Sequence, residues 1–392
     1  MTEAMAPTLG GGQPTLSILT TMPEFEEIAD EWRALVDAEA RTPFETPDWL
    51  LPWARHYATG RQLLLLVWRR DDVLIGVAPL VAWEERHGGR PVRNLAFWGE
   101  TRTPLRGWVD VLARASDRAV VEVEFRRWLS TPGSAWDVLH LLRVPEESGT
   151  PDMLALTGWA RTGLTGVLQS VEYVLDIPRD PEGWAGPLGR KARYNIRREA
   201  RLFESEAGGS FERHVDAQVV PEIVASLRRL LALKWAGREA YFRTDPLFEA
   251  FISDALSTMF LAGSAEALVA RDATGIVAVV IVTSINRTTV TLFAASTQDP
   301  QYGRFALGKN LFSQALDGAI AARSTVFNFL TEGDYKGDFW GARGRNLQSG
   351  IYGRTMTGRA VVAYATLRRR IIPRAMALLG RRPRSVGDDR RS

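Results

Sequence analysis

Residues 303–310 form a glycine-rich run, GRFALGKN, that leads into a predicted amphipathic helix. Glycines let backbone N–H groups approach a ligand closely. The first turn of a helix adds unpaired N–H donors and the positive end of the helix dipole. Arg304 and Lys309 contribute positive charge beside these donors. The run therefore predicts a site for a pyrophosphate group, although a plain helix start is an alternative.

The same run is one residue away from the nucleotide-binding P-loop, G-x-x-x-x-G-K-[ST]. A P-loop needs Ser or Thr after its lysine to hold Mg²⁺, and this chain has Asn310 at that position. A P-loop also follows its strand directly, whereas about eight residues intervene here. An NTPase site is therefore disfavoured.

Polar residues follow the predicted strand TVFNFL, and they include Glu332, Asp334, Tyr335 and Lys336. Folds of the α/β class place their chemistry at the carboxyl ends of strands. A carboxylate such as Glu332 is suited to take a proton from an attacking amine, and Tyr335 is suited to give one to a leaving group. The cluster therefore predicts acid–base chemistry, and a solvated turn is the alternative.

A third group of candidate residues lies in the segment of residues 189–203, GRKARYNIRREARLF. Arg193, Arg197 and Arg201 recur every four residues, which places them on one face of a helix whose opposite face is apolar. Guanidinium groups bind carboxylates, phosphates and RNA backbones. Arg193 and Arg197 are thus candidate ligands for an anionic substrate, and a solvated basic face is equally compatible with the pattern.

Several common kinds of site are disfavoured by residue type. The chain has no cysteine, which excludes disulfides, thiolate catalysis and cysteine-based zinc sites. Its four histidines are scattered without H-x-x-x-H spacing, so we expect no metal site. The G-x-S-x-G motif that usually anchors a hydrolase triad is also absent.

The elements that must position these residues occur twice in the 392-residue chain, whose length predicts two domains. Pro23–Ala40 has helical spacing, a second helix follows Thr46 and Pro47, and two strands flank an RRDD turn. The same order of helix, helix and hairpin returns about 200 residues later. A strand, helix and strand then follow, so we predict an α/β fold with a mixed sheet, present as two copies.

Composition and spacing also predict where the copies begin and end. Ser148–Gly163 is rich in Gly, Thr and Pro, which favours a linker there. We predict a flexible tail at residues 1–14, a first domain at 15–165, a second domain at 166–358 and a basic tail at 359–392.

The C-terminal segment carries most of the positive charge. Between Arg354 and Ser392 there are eleven arginines and two aspartates, a local charge of +9, whereas the whole chain carries +3. The spacing predicts a basic amphipathic helix that breaks at Pro373. Such a helix is suited to contact with anionic lipid, RNA or an acidic partner, and packing on its own domain is the alternative.

The remaining sequence features concern where in the cell the protein is found. The first fourteen residues lack the basic and apolar regions of a signal peptide. Apolar stretches are shorter than the ~18 to 20 residues that a membrane-spanning helix needs. We therefore expect a cytoplasmic protein, with peripheral membrane contact through the basic tail as one possibility.

Short segments from Phe25 to Trp340 follow one family pattern. They are FETPDWLLPW, VLIGVAPL and GWVDVL in the first half, RKARYNIRREARL at the junction, and YGRFALGKNLFSQAL and FNFLTEGDYKGDFW in the second half. Together they resemble the bacterial CelD/BioF2-like acetyltransferases, relatives of the FemAB peptidyltransferases. The resemblance implies two acyl-CoA N-acyltransferase (GNAT) folds in tandem, with a degenerate first copy and the working site in the second.

The resemblance also implies how a thioester donor, acyl-CoA, would bind. Backbone groups near Phe293, Ala294 and Ala295 would hold it along the strand TVTLFAAS and polarise its carbonyl. The run described first would hold its pyrophosphate through Gly303, Arg304, Phe305, Ala306, Leu307, Gly308, Lys309 and Asn310.

Catalytic and acceptor-binding residues are implied in the same way. Tyr335 and Lys336 match the family's recurrent pair, and Trp235 matches its tryptophan before the second hairpin. The acidic residue of the family is displaced here to Glu332 or Asp334. The implied catalytic residues are therefore Tyr335, Glu332 and Lys336, and the implied substrate-binding residues are Arg193, Arg197, Trp235 and Asp334.

The expected activity is direct transfer of an acyl group, most simply acetyl, from acyl-CoA to a primary amine of a small molecule, sugar or peptide. No metal is needed. One alternative keeps the fold and takes an aminoacyl-tRNA as donor, so that the arginines would meet RNA phosphates. Another is a non-catalytic partner in polysaccharide synthesis.

Overall fold

The computed structural model describes residues 12–39, 42–99, 107–131, 136–145, 148–163, 170–178, 186–234, 245–330 and 335–378. Most of the predicted N-terminal tail and the last fourteen residues lie outside these ranges.

The first half contains three helices before its hairpin, where two were predicted, and a further strand after it. Its elements are β1 (Thr15–Leu19), α1 (Met22–Glu27), α2 (Ala29–Glu39), α3 (Pro47–Tyr57), β2 (Gln62–Arg70), β3 (Val73–His87), β4 (Arg90–Phe97), β5 (Leu112–Ala113), α4 (Arg118–Ser130), β6 (Val138–Pro145), α5 (Gly149–Ala155) and β7 (Ala160–Gly163).

The second half repeats this order after one additional strand and helix. Its elements are β8 (Ser170–Asp176), α6 (Arg190–Ala207), β9 (Ser210–His214), α7 (Val220–Lys234), α8 (Phe248–Leu261), β10 (Ala265–Asp272), β11 (Gly275–Ile285), β12 (Thr288–Ser296), α9 (Leu307–Ala321), β13 (Val326–Asn328), α10 (Tyr335–Trp340), β14 (Arg343–Gly353) and α11 (Met356–Leu378).

The described strands form one continuous mixed sheet that runs through both halves. Its order is β1-β2-β3-β4-β6-β14-β8-β13-β12-β11-β10-β9, with β5 beside β3 and β7 beside β14. In each half an antiparallel meander is followed by a helix and a parallel strand, because β6 is parallel to β4 and β13 is parallel to β12. The predicted α/β class and its duplication are confirmed.

Aromatic contacts between α3 and α8 join the two halves on one face of the sheet. The ring of Phe251 lies 5.1 Å from that of Trp49 and 5.4 Å from that of Tyr57, both edge-on. Tyr57 also donates a hydrogen bond to Asp245 at 2.6 Å. Corresponding helices of the two repeats thus share one hydrophobic core.

The opposite face of the second half has a separate core. There α6 and α9 cover β10 to β13, with Phe203, Leu311 and Phe327 fully buried. A glycine at position 209 makes the close approach of Phe203 possible, because a Cβ at Gly209 would lie 2.3 Å from the phenyl ring. These contacts fix α9, whose first turn is the predicted pyrophosphate site.

Two expectations about segments between elements are wrong. Ser148–Gly163 is not a linker, because it contains α5 and β7, and β7 pairs with β14 along its whole length. The C-terminal helix does not break at Pro373, because α11 continues to Leu378. No described helix is long and apolar enough to cross a membrane.

Candidate active site

Strands β12 and β13 diverge in the middle of the second half. Their parallel pairing covers Thr288–Val290 and Val326–Asn328, after which β12 continues for six residues to Ser296. A bulge at Leu292 bends β12 at this point, because Ile281 pairs with Phe293 while Val282 pairs with Thr291. The bend opens a gap beside the second part of β12.

The hydrogen-bonding pattern of β12 shows which main-chain groups face this gap. Thr297 donates its N–H to Val277 on β11 at 2.8 Å. Because antiparallel strands alternate between hydrogen-bonded and non-hydrogen-bonded pairs, the N–H groups of Ala294 and Ser296 point away from β11. Among the predicted residues Phe293, Ala294 and Ala295, Ala294 is therefore the one whose N–H faces the gap.

The predicted pyrophosphate run forms a 3-10 turn over Pro300–Phe305 and the first turn of α9. Ala306, at the start of the helix, has a left-handed backbone, with φ 44° and ψ 43°. Non-glycine residues rarely adopt this conformation, and it is concentrated at functional sites. The buried amide of Asn310 holds the turn by donating to the carbonyls of Phe305 at 3.1 Å and Ala306 at 3.4 Å.

Gly303 and Gly308 leave open space beside this turn. A Cβ at either position would meet no atom within 4 Å, and neither glycine has a left-handed backbone. Packing of the described residues therefore does not require glycine here. Close approach of a ligand to the backbone does explain it.

The two basic side chains of the run have different surroundings. Arg304 forms an ion pair with Glu206 at 2.6 Å and lies over the buried ring of Phe305 at 4.8 Å. Lys309 is exposed, and its Nζ lies 4.5 Å from the ring centroid of Phe339 on α10. Lys309 is thus the basic residue at the groove between α9 and α10.

A cleft of about 390 Å³ opens at that groove, between the first turns of α6 and the α9–α10 pair. Lys309 and Phe339 form one wall, and residues of α6 form the other. Lys191, Asn195 and the acidic Glu199 contribute polar groups from α6, and Ile196 contributes an apolar surface. The cleft therefore has the mixed lining of a site for a charged ligand with an apolar portion.

The end of β13 is held by buried hydrogen bonds. Leu330 has a left-handed backbone, with φ 56°, and its N–H donates to the side-chain oxygen of Asn328 at 2.8 Å. Lys336, only 4% exposed, donates from Nζ to the carbonyl of Phe329 at 2.6 Å. The ammonium of Lys336 therefore fixes the main chain where β13 ends, directly before the predicted catalytic turn.

Other predicted site residues lie partly or wholly outside the described part of the chain. Glu332, Asp334 and Trp235 are outside it, and only the backbone of Tyr335 is described, as the first residue of α10. Their predicted roles stay predictions.

The two arginines of α6 that were predicted to bind substrate, Arg193 and Arg197, have different surroundings. Arg193 donates to the carbonyl of Leu188 at 2.8 Å, which secures the start of α6. Arg197 is exposed and lies near Asp317 of α9. Burial raises the pKa of the Asp317 carboxyl, and the positive charges of Arg197 and Arg213 oppose that rise. Arg197 therefore presents the more accessible guanidinium.

A buried carboxylate beside the end of β13 was missed by the sequence reasoning. Glu172 on β8 is fully buried and pairs with Arg345 on β14. The amide of Asn328 donates to the same carboxylate at 3.3 Å. Arg345 in turn lies 5.9 Å from the ring of Trp108 in the first half. A charged residue within the apolar strand SVEYVLDI was the available signal.

Comparison with known families identifies this half of the chain. Residues 190–338, from the start of α6 into α10, match the family model of the acetyltransferase (GNAT) domain. This part of the chain is therefore similar to a GNAT acyltransferase domain. The match includes the diverging strands, the α9 turn and the residues after β13, so the expected resemblance to GNAT acyltransferases is confirmed. No curated protein sequence matches the chain significantly.

Solved structures share the fold of the chain at low sequence identity. FemX matches with a TM-score of 0.57 and 11% identity, over 82% of this chain and 95% of FemX. The C-terminal domain of a putative lysylphosphatidylglycerol synthetase from Agrobacterium fabrum matches with a TM-score of 0.50 and 13% identity, over 88% and 96% of the two chains. The described residues contain no cluster of side chains that could hold a metal.

Proposed function

We propose that the protein transfers an acyl group, acetyl in the simplest case, from acyl-CoA to a primary amine of a small molecule, sugar or peptide. The observation that carries this proposal is the gap between β12 and β13, together with the helix start with open glycines that follows β12 along the chain. A thioester bound along β12 would direct its carbonyl oxygen to the N–H of Ala294. A fixed donor at that position stabilises the negative charge that develops during attack.

In this proposal the first turn of α9 binds the pyrophosphate through its free N–H groups, with Gly308 allowing close approach. Lys309 and Lys191 supply positive charge at the adjoining cleft. The second domain, residues 166–358, binds the donor, and the first domain, residues 15–165, shapes the acceptor side. The reaction needs no metal and takes place in the cytoplasm.

Proton transfer is assigned to the residues after β13. The incoming ammonium must lose a proton before attack, and the departing thiolate gains one. Glu332 or Asp334 serves as the base and Tyr335 as the acid. Lys336 supports them by fixing the Phe329 carbonyl. Trp235, Arg193 and Arg197 contribute to the acceptor side, where an anionic group of the substrate would meet Arg197.

An aminoacyl-tRNA donor is the second candidate, favoured by the exposed Arg197 and Arg201 of α6 and the fold shared with FemX. The two donors are distinguishable by binding. CoA alone should raise the melting temperature if acyl-CoA is the donor. RNA binding that weakens steeply with salt, without a response to CoA, would favour the alternative.

Activity is tested with acetyl-CoA, longer acyl-CoAs and a panel of primary amines, following release of free CoA. Tyr335→Phe and Glu332→Gln are each expected to reduce turnover about 100-fold or more, since positioned acids and bases contribute that much. Tyr364→Phe and Glu249→Gln, at exposed positions on α11 and α8, are matched controls. Full turnover in both site variants would show that the catalytic assignment is wrong.

A further inference from the structure

The outer face of α11 is mostly apolar although it is exposed. In the part of α11 whose side chains are described, the exposed positions are 356, 359, 360, 363, 364 and 367. This spacing is that of one helical stripe. Met356, Tyr364 and Leu367 are 83%, 62% and 55% exposed, and Arg359 and two alanines complete the stripe. A solvent-facing helix normally carries polar residues on such a stripe, and exposed apolar patches commonly mark a binding surface. We call these six positions the outer stripe.

The inner face of α11 is already occupied. Val362 is buried against Val92, Val138 and Ile351, and Ala365 packs at the edge of this cluster. The outer stripe therefore cannot turn inward without exposing the valines. Both faces of the helix are apolar, but only one has a partner within the described residues.

The start of α11 is fixed rigidly to the sheet. Thr355 donates to Asp137 at 2.7 Å, and the amide of Gly358 donates back to the Thr355 hydroxyl at 3.1 Å. Arg354 lies over the ring of Trp136 at 4.8 Å and donates to its carbonyl at 2.9 Å. These contacts set the direction in which the outer stripe faces, so it is presented in one orientation.

The sequence after Leu367 indicates the partner. Arg368, Arg369, Arg370 and Arg374 follow on the same helix, within the C-terminal segment of charge +9. A second copy of this helix packed in parallel would bring arginines against arginines, which is unfavourable. An apolar and aromatic stripe next to a dense run of arginines is typical of helices that lie in the headgroup region of anionic membranes.

We propose that α11 binds the surface of a membrane that contains anionic lipids. Tyr364 and Leu367 insert at the boundary between headgroups and acyl chains, and the arginines contact lipid phosphates. The protein remains peripheral, since no described helix can span a bilayer. Binding by α11 leaves the gap between β12 and β13 unoccupied and does not depend on the identity of the acyl donor.

The test is cosedimentation of the full-length protein with vesicles of phosphatidylcholine alone or of three parts phosphatidylcholine to one part phosphatidylglycerol. Binding is expected only to the mixed vesicles, and it should weaken as salt is added. Substituting Arg368, Arg369 and Arg370 by Gln together should weaken binding on the order of 100-fold. The pair Tyr364→Ser and Leu367→Ser should weaken it roughly 10-fold or more, because insertion of both side chains is lost.

The matched control is Leu261→Ser, which changes a 79% exposed leucine at the end of α8 and should leave binding unchanged. Circular dichroism melting of every variant checks that folding is intact. Equal binding to both vesicle types, or full binding by the Tyr364 and Leu367 pair, would overturn the proposal. So would a wild-type dimer that these same two substitutions convert to a monomer, because the stripe would then be a contact between copies.

Discussion

Glu172 on β8 and Arg345 on β14 form an ion pair in which a single carboxylate oxygen, Oε2, accepts both guanidinium hydrogen bonds. The second oxygen, Oε1, is buried without a hydrogen-bond partner in the described residues. Asn328 also donates to Oε2, and its own side-chain oxygen holds Leu330. The pair thus connects the first half, through Trp108, to the end of β13.

We expect Glu172→Ala to lower the free energy of unfolding by about 3–5 kcal/mol, because it leaves the Arg345 charge unpaired in the interior. Urea denaturation measures this loss. Acyl transfer by the folded fraction should also fall, since the turn at Leu330 loses its support from β8.

The control for this substitution lies on the same two strands. Asp176 and Arg343 form an ion pair at 2.9 Å, but both side chains are more than half exposed, at 62% and 55%. Asp176→Ala should therefore cost no more than about 1 kcal/mol. Equal losses from the two substitutions would contradict the importance that we assign to the buried pair.

Gly308→Asp should abolish binding of acetyl-CoA without destabilising the protein. A carboxylate there would repel a pyrophosphate, whereas an acidic residue in the first turn of a helix is favourable for folding. Space for the side chain is available. Isothermal titration and thermal melting measure the two effects, with Gly308→Ala as the control for loss of the glycine without an added charge. Unchanged affinity for CoA would mean that the pyrophosphate binds elsewhere.

His140 predicts a pH dependence of stability. Its ring lies 5.4 Å from that of Trp83 and 2.9 Å from the Asn94 oxygen, and burial lowers its pKa to about 4. The unfolded chain takes up the proton near the ordinary pKa of about 6.5. The contribution of His140 to the free energy of unfolding is therefore fully present above about pH 6.5. It declines by roughly 1–3 kcal/mol in total as the pH falls towards 4.

Urea midpoints measured at pH 7 and pH 5 test this expectation. His140→Gln, which keeps an N–H donor for Asn94, should reduce the difference between the two midpoints. An undiminished difference in this variant would assign the pH dependence to other groups.

Gly358→Ala should destabilise the protein, because the added Cβ would lie 2.0 Å from the Asp137 carbonyl oxygen. That contact is with backbone, so α11 or β6 must move, at a cost of about 1–3 kcal/mol or more. Thermal melting measures the loss, and Gly303→Ala, which fills open space, is the control. A melting temperature equal to that of the wild type would show that the crossing of β6 and α11 is looser than the structure indicates.

Local sequence signals predicted the repeated part of the fold well. Thr46 and Pro47 correctly marked the start of α3, where Thr46 accepts a hydrogen bond from the Trp49 amide at 3.2 Å. The RRDD turn was also correct, and its two aspartates, Asp71 and Asp72, adopt left-handed backbones. The spacing of apolar residues and the residues that cap a helix depend only on neighbouring positions, so a single segment of sequence is enough to predict them.

Features that depend on distant segments could not be predicted in this way. The Gly-rich and Pro-rich segment at 148–163 was interpreted as a linker because β7 obtains its partner, β14, from the far end of the chain. Glu172 was passed over for the same reason, since only the tertiary fold brings Arg345 beside it. The helical spacing of apolar residues also predicted one helix where the structure has two, α1 and α2, which separate at Ile28.

The position of β14 has a consequence for synthesis of the chain. β14 pairs with β6 and separates it from β8, and Arg143 of β6 hydrogen-bonds to a β14 serine that lies 206 residues later. During translation the edge of β6 therefore stays unpaired until β14 has left the ribosome. Open strand edges recruit other chains. Truncated products that end before residue 343 should thus aggregate, and the two repeats should not fold as separately expressed proteins.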